Sequence, residues 1–424
     1  YINNNFDFAE MLSEMLGELN ASHTGCRYYA SGASLSTAAL GAFFDPNYEG
    51  DGLKIQEVIK RGPFAVKKNE VTAGCIIEKI DGEAIKAGKD YNALLDGKAG
   101  KNVRLTIKNT KGKRFDLTIK AISQGAQQEL LYKRWVDRNR AIVDSVSKGR
   151  IAYVHVKAMN SESFRTVYSE LLSDKNRNKD AVIVDERHNG GGWLHDDLCT
   201  LLSGKQYQEF VPHGKVVGKD PFNKWTKPSC VLICEDDYSN GHGFPWVYKE
   251  LGIGKLIGAP VAGTMTAVWW ETLMDRSLVF GIPQVGCRDM RGTFGENTTL
   301  YPDIEVYNSP EDYITGHDTQ LIRAVEEMMK KYLLAALTVV MLGAAPFAAH
   351  AAEQDVAKIT CKDFLADKQN ISMMVMWIDG YMSGKSGNTS ISDQWMEKLG
   401  THLGTYCAKN PAKTIMDAIE AVPE

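Results

Sequence analysis

Among 424 residues there is no Cys-x-x-Cys pair and no other zinc-type spacing in the eight cysteines. A structural metal is therefore not expected, and no cofactor is expected either. There is no surplus of charge: 49 Lys and Arg stand against 53 Asp and Glu, for a formal net charge of -4. That balance gives no general reason to expect nucleic acid or an anionic membrane as partner. No uninterrupted apolar run reaches the ~20 residues that a membrane-spanning helix needs. The chain opens at Tyr1 with neither an initiator Met nor an export signal, which points to a fragment or a mature product. Also missing is a Gly-x-Ser-x-Gly elbow around any candidate nucleophile. What remains, 44% hydrophobic and 24% charged, is the composition of an ordinary globular protein. Its length predicts about two to four domains.

One segment is out of place. Residues 329–352 read MKKYLLAALTVVMLGAAPFAAHAA, with two lysines, an apolar run from Leu333 to Ala345, then Ala349-His350-Ala351. This is the layout of a secretory signal peptide. A membrane span is the competing reading, but Gly343 and Pro346 interrupt the end of a short apolar run. A signal peptide inside a chain cannot process what precedes it, so the simplest account is two reading frames joined at Met329.

Ahead of that joint the pattern changes character twice. Residues 6–20, FDFAEMLSEMLGELN, space Phe6, Phe8, Met11, Met15, Leu16 and Leu19 as a helix, and the polar turn ASHTG follows. From about Ala33 to Ile122 short strands alternate with Gly-rich turns, including a hairpin tipped by Lys111-Gly112. From Gly149 to Lys331, RIAYVHV, DAVIVDER, SCVLICED, KLIGAPV and RSLVFGIP read as strands. SFRTVYSELLSD, LHDDLCTLLSG and GFPWVYKELG read as the helices between them. That rhythm predicts a mostly parallel sheet covered by helices.

Three motifs follow those strands. AVIVDERHNGGGWLHDD runs into Gly190, Gly191 and Gly192, whose backbone N–H groups can approach a substrate closely. SCVLICEDDYSNGHGF delivers Ser239 to the carboxyl edge of the sheet, where α/β folds bind ligands. TFGENTTLYPDIEV carries Glu296 in a polar turn. Each has a bland reading: Ser239 as a helix cap, the glycines as a plain turn, Glu296 as a solvated acid. A serine hydroxyl needs a general base. His242 follows Ser239 by only three residues and would point elsewhere from the helix start.

Residues 33–122 resemble a PDZ domain through the order AGCIIEKIDGEAI followed by DYNALLDG, read as strand, turn, strand and helix. Such domains capture extended peptides by strand addition; a ligand-free β-rich spacer is the alternative. Over Phe6 to Tyr332, NASHTG, DERHNGGG, YSNGHGF, LGIGKLIGAPVAGT and ENTTLYPDIEV, in that order, resemble the tail-specific proteases, and among them the tricorn branch. Ordinary members use a Ser-Lys dyad. Here the dyad position falls near Thr264 and holds no lysine, while Lys255 reads as a solvated loop residue. The tricorn resemblance implies instead Ser239 as nucleophile and His23 as base. Ser22 and Glu296 would orient the imidazole, and the N–H groups of Gly192 and Asn240 would hold the oxyanion. It further implies that Gly190 and Gly191 line the substrate, that substrates are peptides or unfolded polypeptides, and that no metal takes part. His188 and His195 are candidates for substrate subsites. Asp196 and Asp197 are either a preference for basic side chains or simply exposed acids.

Residues 353–424 hold only Cys361 and Cys407. In an exported unit of this size such a pair is expected to form a disulfide, adding roughly 4 kcal/mol by the chain-entropy argument. The order ITCKDFL … YCAKNP, with DFLADK, MMVMWIDGYMSG, DQWMEKLGTHLGTYCAKNP and TIMDAIEAV as helices, resembles the HdeA/HdeB acid-stress chaperones. Met373, Met374, Met376 and Trp377 are either client-binding surface or core. The expected fold is thus an α/β protease core with a parallel-rich sheet, an inserted β-rich PDZ domain, and a small all-α disulfide-linked C-terminal domain. The expected divisions are 1–32, 33–122, 123–328, 329–352 and 353–424, and the expected compartment is the periplasm or another exported location. A non-catalytic peptide binder, or a holdase acting through the tail, are the alternatives.

Overall fold

The computed structural model describes residues 2–30, 36–67, 70–342, 358–366, 371–386 and 393–422. The chain divides into two compact units, Tyr1–Val339 and Val340–Glu424.

The first unit is built on five parallel strands. Their spatial order is Ile304–Glu305, Lys255–Gly258, Ser229–Ile233, Ala181–Asp185 and Ile151–His155. Every residue of the last three is buried, because helices cover both faces, which is why these strands read as continuous apolar runs rather than alternating ones. On one face Val182, Val184, Val231 and Ile233 meet Val167 and Leu171, Leu198 and Leu202, and Phe244 and Tyr248 from three helices, Ser161–Leu171, His195–Leu202 and Asn240–Glu250. On the other, Tyr153, Ile183, Leu232 and Ile257 meet Val143 of Gln124–Val146 and Leu321, Ala324 and Val325 of Thr319–Leu342. Each such side chain contributes about 1.5–3 kcal/mol by leaving water.

One strand joins a different sheet from the one its sequence suggests. RSLVFGIP forms Leu278–Gly281, which pairs antiparallel with Gly25–Tyr28 in a separate three-stranded sheet. This pairing matters for the site, because it carries the segment after NASHTG to the main body. Helix Asn5–Gly17 packs on the same small sheet through Phe8, Ala9 and Leu12. Phe6, Met11, Met15 and Leu19 of its expected apolar stripe are exposed instead.

Residues 42–120 fold as an antiparallel sheet in the order Ala42–Phe44, Leu53–Val58, Ile76–Ile80, Asn102–Lys108 and Arg114–Lys120, with Glu83–Ala84 paired to the third of these. The helix expected in DYNALLDG is a single 3-10 turn, Asn92–Leu95. The Leu95 carbonyl accepts from Ala38 N–H, and Gly97 N–H donates to Ser36, so the backbone is committed to a neighbouring segment before a second turn can form.

The second unit contains the helices Cys361–Ala366, Ile371–Ser386, Asp393–Lys409 and Ile415–Glu420 around a core that includes Phe364, Ile378, Leu399, Leu403 and Ile415. A disulfide joins Cys361 to Cys407. Met374 is buried in that core; the side chains of Met373, Met376 and Trp377 lie outside the described residues, as does the Ala349-His350-Ala351 sequence. Among the described residues, no helix is long and apolar enough to cross a membrane.

Candidate active site

The Ser229–Ile233 strand ends in a tight turn, Cys234 to Tyr238, and the next helix begins at Asn240. Ser239, at the junction, has φ 59° and ψ -120° and makes no side-chain cap bond to the helix. A β-carbon disfavours this backbone conformation, so the surroundings must hold it. The Ser239 N–H donates to Thr264 Oγ1 at 2.9 Å, and its carbonyl accepts from His242 and Gly243. The hydroxyl is therefore not spent on capping. This is a strained strand-to-helix turn of the backbone type that nucleophile elbows use, reached without flanking glycines at the usual places.

The loop after Ala181–Asp185 closes over this turn. Tyr238 N–H donates to the Asn189 carbonyl at 2.9 Å, and the Asn189 and Cys234 N–H groups both donate to the Asp237 carboxylate. Gly191 sits with φ +93° directly against Ser239: a β-carbon there would lie 2.6 Å from Ser239 Cβ and 2.7 Å from the Tyr238 carbonyl. Only glycine fits. Gly192 continues the loop by bridging to Met159, whose N–H and carbonyl engage Gly191 and Trp193 rather than Gly192 itself. Among the described residues, the backbone N–H groups of Gly192 and Asn240 donate to no protein acceptor. The Asn240 side chain accepts from Leu194 and His195 N–H, and its amide contacts His195 Nδ1 at 2.8 Å, which fixes the start of the following helix.

His23 arrives from the other side with φ 62°. Its N–H donates to Tyr238 Oη at 2.7 Å, and its ring lies 4.9 Å from the Tyr238 ring. Nδ1 is 2.9 Å from Ser22 Oγ and 2.9 Å from Thr266 Oγ1. Ser22 in turn gives both its protons to Glu296, the N–H to Oε1 at 2.5 Å and the hydroxyl to Oε2 at 2.8 Å. The turn carrying Glu296 is held by Asn297, whose N–H donates to Gly263 and whose side-chain amide donates to the Asn20 carbonyl. Because a carboxylate only accepts, the Ser22 oxygen is left to accept from Nδ1–H, the tautomer that frees Nε2 as a base. Burial lowers the His23 pKa from 6.5, against the raising influence of Glu296. No hydrogen bond joins His23 to Ser239 among the described residues. Both are nevertheless anchored to one short segment, Ser239 to Thr264 and His23 to Thr266.

The structure thus brings Ser22, His23 and Glu296 into one bonded chain, and sets the Gly191 loop, which continues through Gly192, directly against the turn of Ser239 and Asn240. Gly190 is exposed at the rim. Thr266 and Tyr238 join the site without having been singled out in the sequence, and Thr264, near the expected dyad position, accepts from the Ser239 N–H. Lys255 begins a strand rather than sitting in a loop, and its ammonium pairs with Glu327 at 2.5 Å. His242 is buried against Gly295, its Nδ1 without a partner and its pKa pushed down to about 4 by burial. His195 packs on Trp193, and Asp196 and Asp197 are exposed in the first turn of their helix.

Comparison with known proteins adds three matches. The sequence model of Peptidase family S41 matches residues 150–306, that of the Tricorn protease PDZ domain residues 48–124, and that of the HdeA/HdeB family residues 332–417. A tricorn protease homolog of Saccharolobus solfataricus is 27% identical over 345 residues, covering 78% of this chain and 31% of that protein. The tricorn protease of Thermoplasma acidophilum is 29% identical over 259 residues, covering 61% and 24%. A crystal structure of the tricorn protease superposes with a TM-score of 0.67 at 25% identity, over 78% of this chain and 33% of that one. The chain spans about a third or less of the length of these relatives.

Proposed function

We propose, from the membership of this chain's first unit in peptidase family S41 and its tricorn branch, that Ser239 is the nucleophile of a serine peptidase acting on peptides or unfolded polypeptides. The observation that supports the reading is the bonded chain Glu296–Ser22–His23, whose imidazole is bound to Thr266 and whose N–H is bound to Tyr238, the residue before an uncapped serine in a strained turn.

In the proposed cycle, Ser239 Oγ attacks the scissile carbonyl while His23 Nε2 takes its proton. Glu296, through Ser22, favours the imidazolium that results. The N–H groups of Gly192 and Asn240 receive the oxyanion; one such donor is worth about 10²–10³ in kcat. The C–N bond then breaks as His23 returns the proton to the leaving amine, leaving an ester on Ser239. Water, deprotonated by the same imidazole, releases the acid product and restores the serine. In this scheme the His23 to Ser239 hydrogen bond forms in the Michaelis complex. Hydrolysis of an unfolded protein with a pre-steady-state burst of one amine equivalent per chain tests the scheme. Ser239→Ala should remove both burst and turnover, and turnover that survives this change contradicts it.

For the second unit, the HdeA/HdeB match and the helical disulfide-linked core support an exported, acid-activated holdase. Light scattering of an aggregating client at low pH tests this. Deletion of residues 353–424 should abolish protection, and protection that persists places the activity elsewhere.

A further inference from the structure

Outside the proposed catalytic residues, a His, a Cys and an Asp converge where the loops leading to Gly190 and to Ser239 touch; the His is His188, read from sequence as a candidate for a substrate subsite. His188, Cys234 and Asp236 present ligand atoms that all lie within 4.8 Å of one another. His188 Nδ1 is 3.1 Å from Asp236 Oδ1 and 3.9 Å from Cys234 Sγ, and Cys234 Sγ is 2.7 Å from the same Oδ1. A tetrahedral zinc ion with bonds of about 2.0 Å to N or O and 2.3 Å to S needs donor separations of about 3.3–3.6 Å. The three groups need shift only by fractions of an ångström.

We propose that these residues form a three-ligand site for a borderline divalent cation, with zinc as the expected occupant and water completing the coordination. An N, S, O donor set suits zinc rather than the oxygen-seeking magnesium or calcium. Three further observations support the assignment. His188 is held at φ 68°, an unusual conformation for this residue, and so presents both its ring and its N–H to the sulfur. That N–H lies 3.1 Å from Cys234 Sγ, placed to stabilise a thiolate once the cation has displaced the thiol proton to solvent. His188 and Asp236 are about half exposed, which leaves an entry path and an open position.

The consequence is mechanical. A cation here would tie the loop ending in Gly190 to Gly192 to the turn ending in Ser239, an anchor independent of whether Ser239 is a nucleophile. The spacing of 46 positions between His188 and Cys234 hides it from any sequence pattern.

The untagged full chain, dialysed against a chelator under argon, is titrated with cobalt(II) as a spectroscopic substitute for zinc. A near-ultraviolet thiolate-to-cobalt band should rise to one equivalent per chain and be displaced by zinc. It should vanish in Cys234→Ser and survive in Ser239→Ala. His188→Ala and Asp236→Asn, both at exposed side chains, should each weaken cobalt binding at least about tenfold. Zinc should also slow amide exchange in residues 188–192. No band, a band that persists in Cys234→Ser, affinity indifferent to both exposed substitutions, or exchange unchanged by zinc would each overturn the proposal.

Discussion

Thr266 Oγ1 lies 2.9 Å from His23 Nδ1, a contact between positions 243 apart in the chain. The same hydroxyl is 2.7 Å from Ser22 Oγ, so Thr266 closes a small ring of polar groups around the Nδ1 side of the imidazole. In the proposed mechanism it touches no reacting atom and acts as a positioning residue. Thr266→Val keeps the shape and removes the hydroxyl. Losing one such bond, about 1–1.5 kcal/mol, should lower kcat about tenfold with KM little changed, and Thr266→Ser should restore it. Steady-state kinetics on the three proteins decides, and an unchanged kcat in Thr266→Val removes the role.

The pH profile carries a sign. His23 serves as base only when neutral, and burial lowers its pKa below 6.5 while Glu296 raises it. The acid limb of kcat/KM should therefore fall below 6.5. Glu296→Gln removes the raising influence, so the limb should move further toward acid even as the rate drops. A limb above 6.5, or an upward shift in Glu296→Gln, contradicts the assignment of His23.

Gly191 has no room for a methyl group. Gly191→Ala would place Cβ 2.6 Å from Ser239 Cβ at a backbone φ of +93°. The cost should be about 1–3 kcal/mol of stability, together with loss of activity beyond what that destabilisation explains. Thermal unfolding and single-turnover hydrolysis on the same sample separate the two, and full activity in a stable variant shows the contact is not needed.

Beneath the site lies a charge network. Buried Arg187 donates to both oxygens of Asp185 and of Asp318, and to Gln320. Arg187→Met strands two buried carboxylates and should cost about 3–5 kcal/mol. Arg61, in an exposed pair with Asp137, is the contrast: Arg61→Met should cost under about 1 kcal/mol. Urea unfolding compares them, and equal effects would show that burial is not the cause.

Much of this arrangement is readable from sequence because strand ends are. The apolar runs of Ala181–Asp185 and Ser229–Ile233 stop where the glycines and Ser239 begin, and side chains at the carboxyl edge of a parallel sheet necessarily share one rim. Contacts made across the fold are not readable in that way. Thr264 and Thr266 are ordinary threonines until Ser239 and His23 reach them. The Ser239 backbone angle is imposed by Asn189, Thr264 and the helix it starts, none of which forms a local motif. RSLVFGIP has strand periodicity, but periodicity cannot say that its partner is Gly25–Tyr28. Likewise Met11 and Met15 have the spacing of a core stripe, yet helix Asn5–Gly17 meets its small sheet through Phe8, Ala9 and Leu12.

The most direct measurement is the rate at which a fluorophosphonate modifies Ser239, mapped by peptide mass, in the intact protein and in His23→Ala. The account predicts modification at Ser239 that falls at least about a hundredfold without the imidazole, with the circular dichroism spectrum unchanged. Modification at an undiminished rate in His23→Ala, or none in the folded wild-type chain, would contradict it.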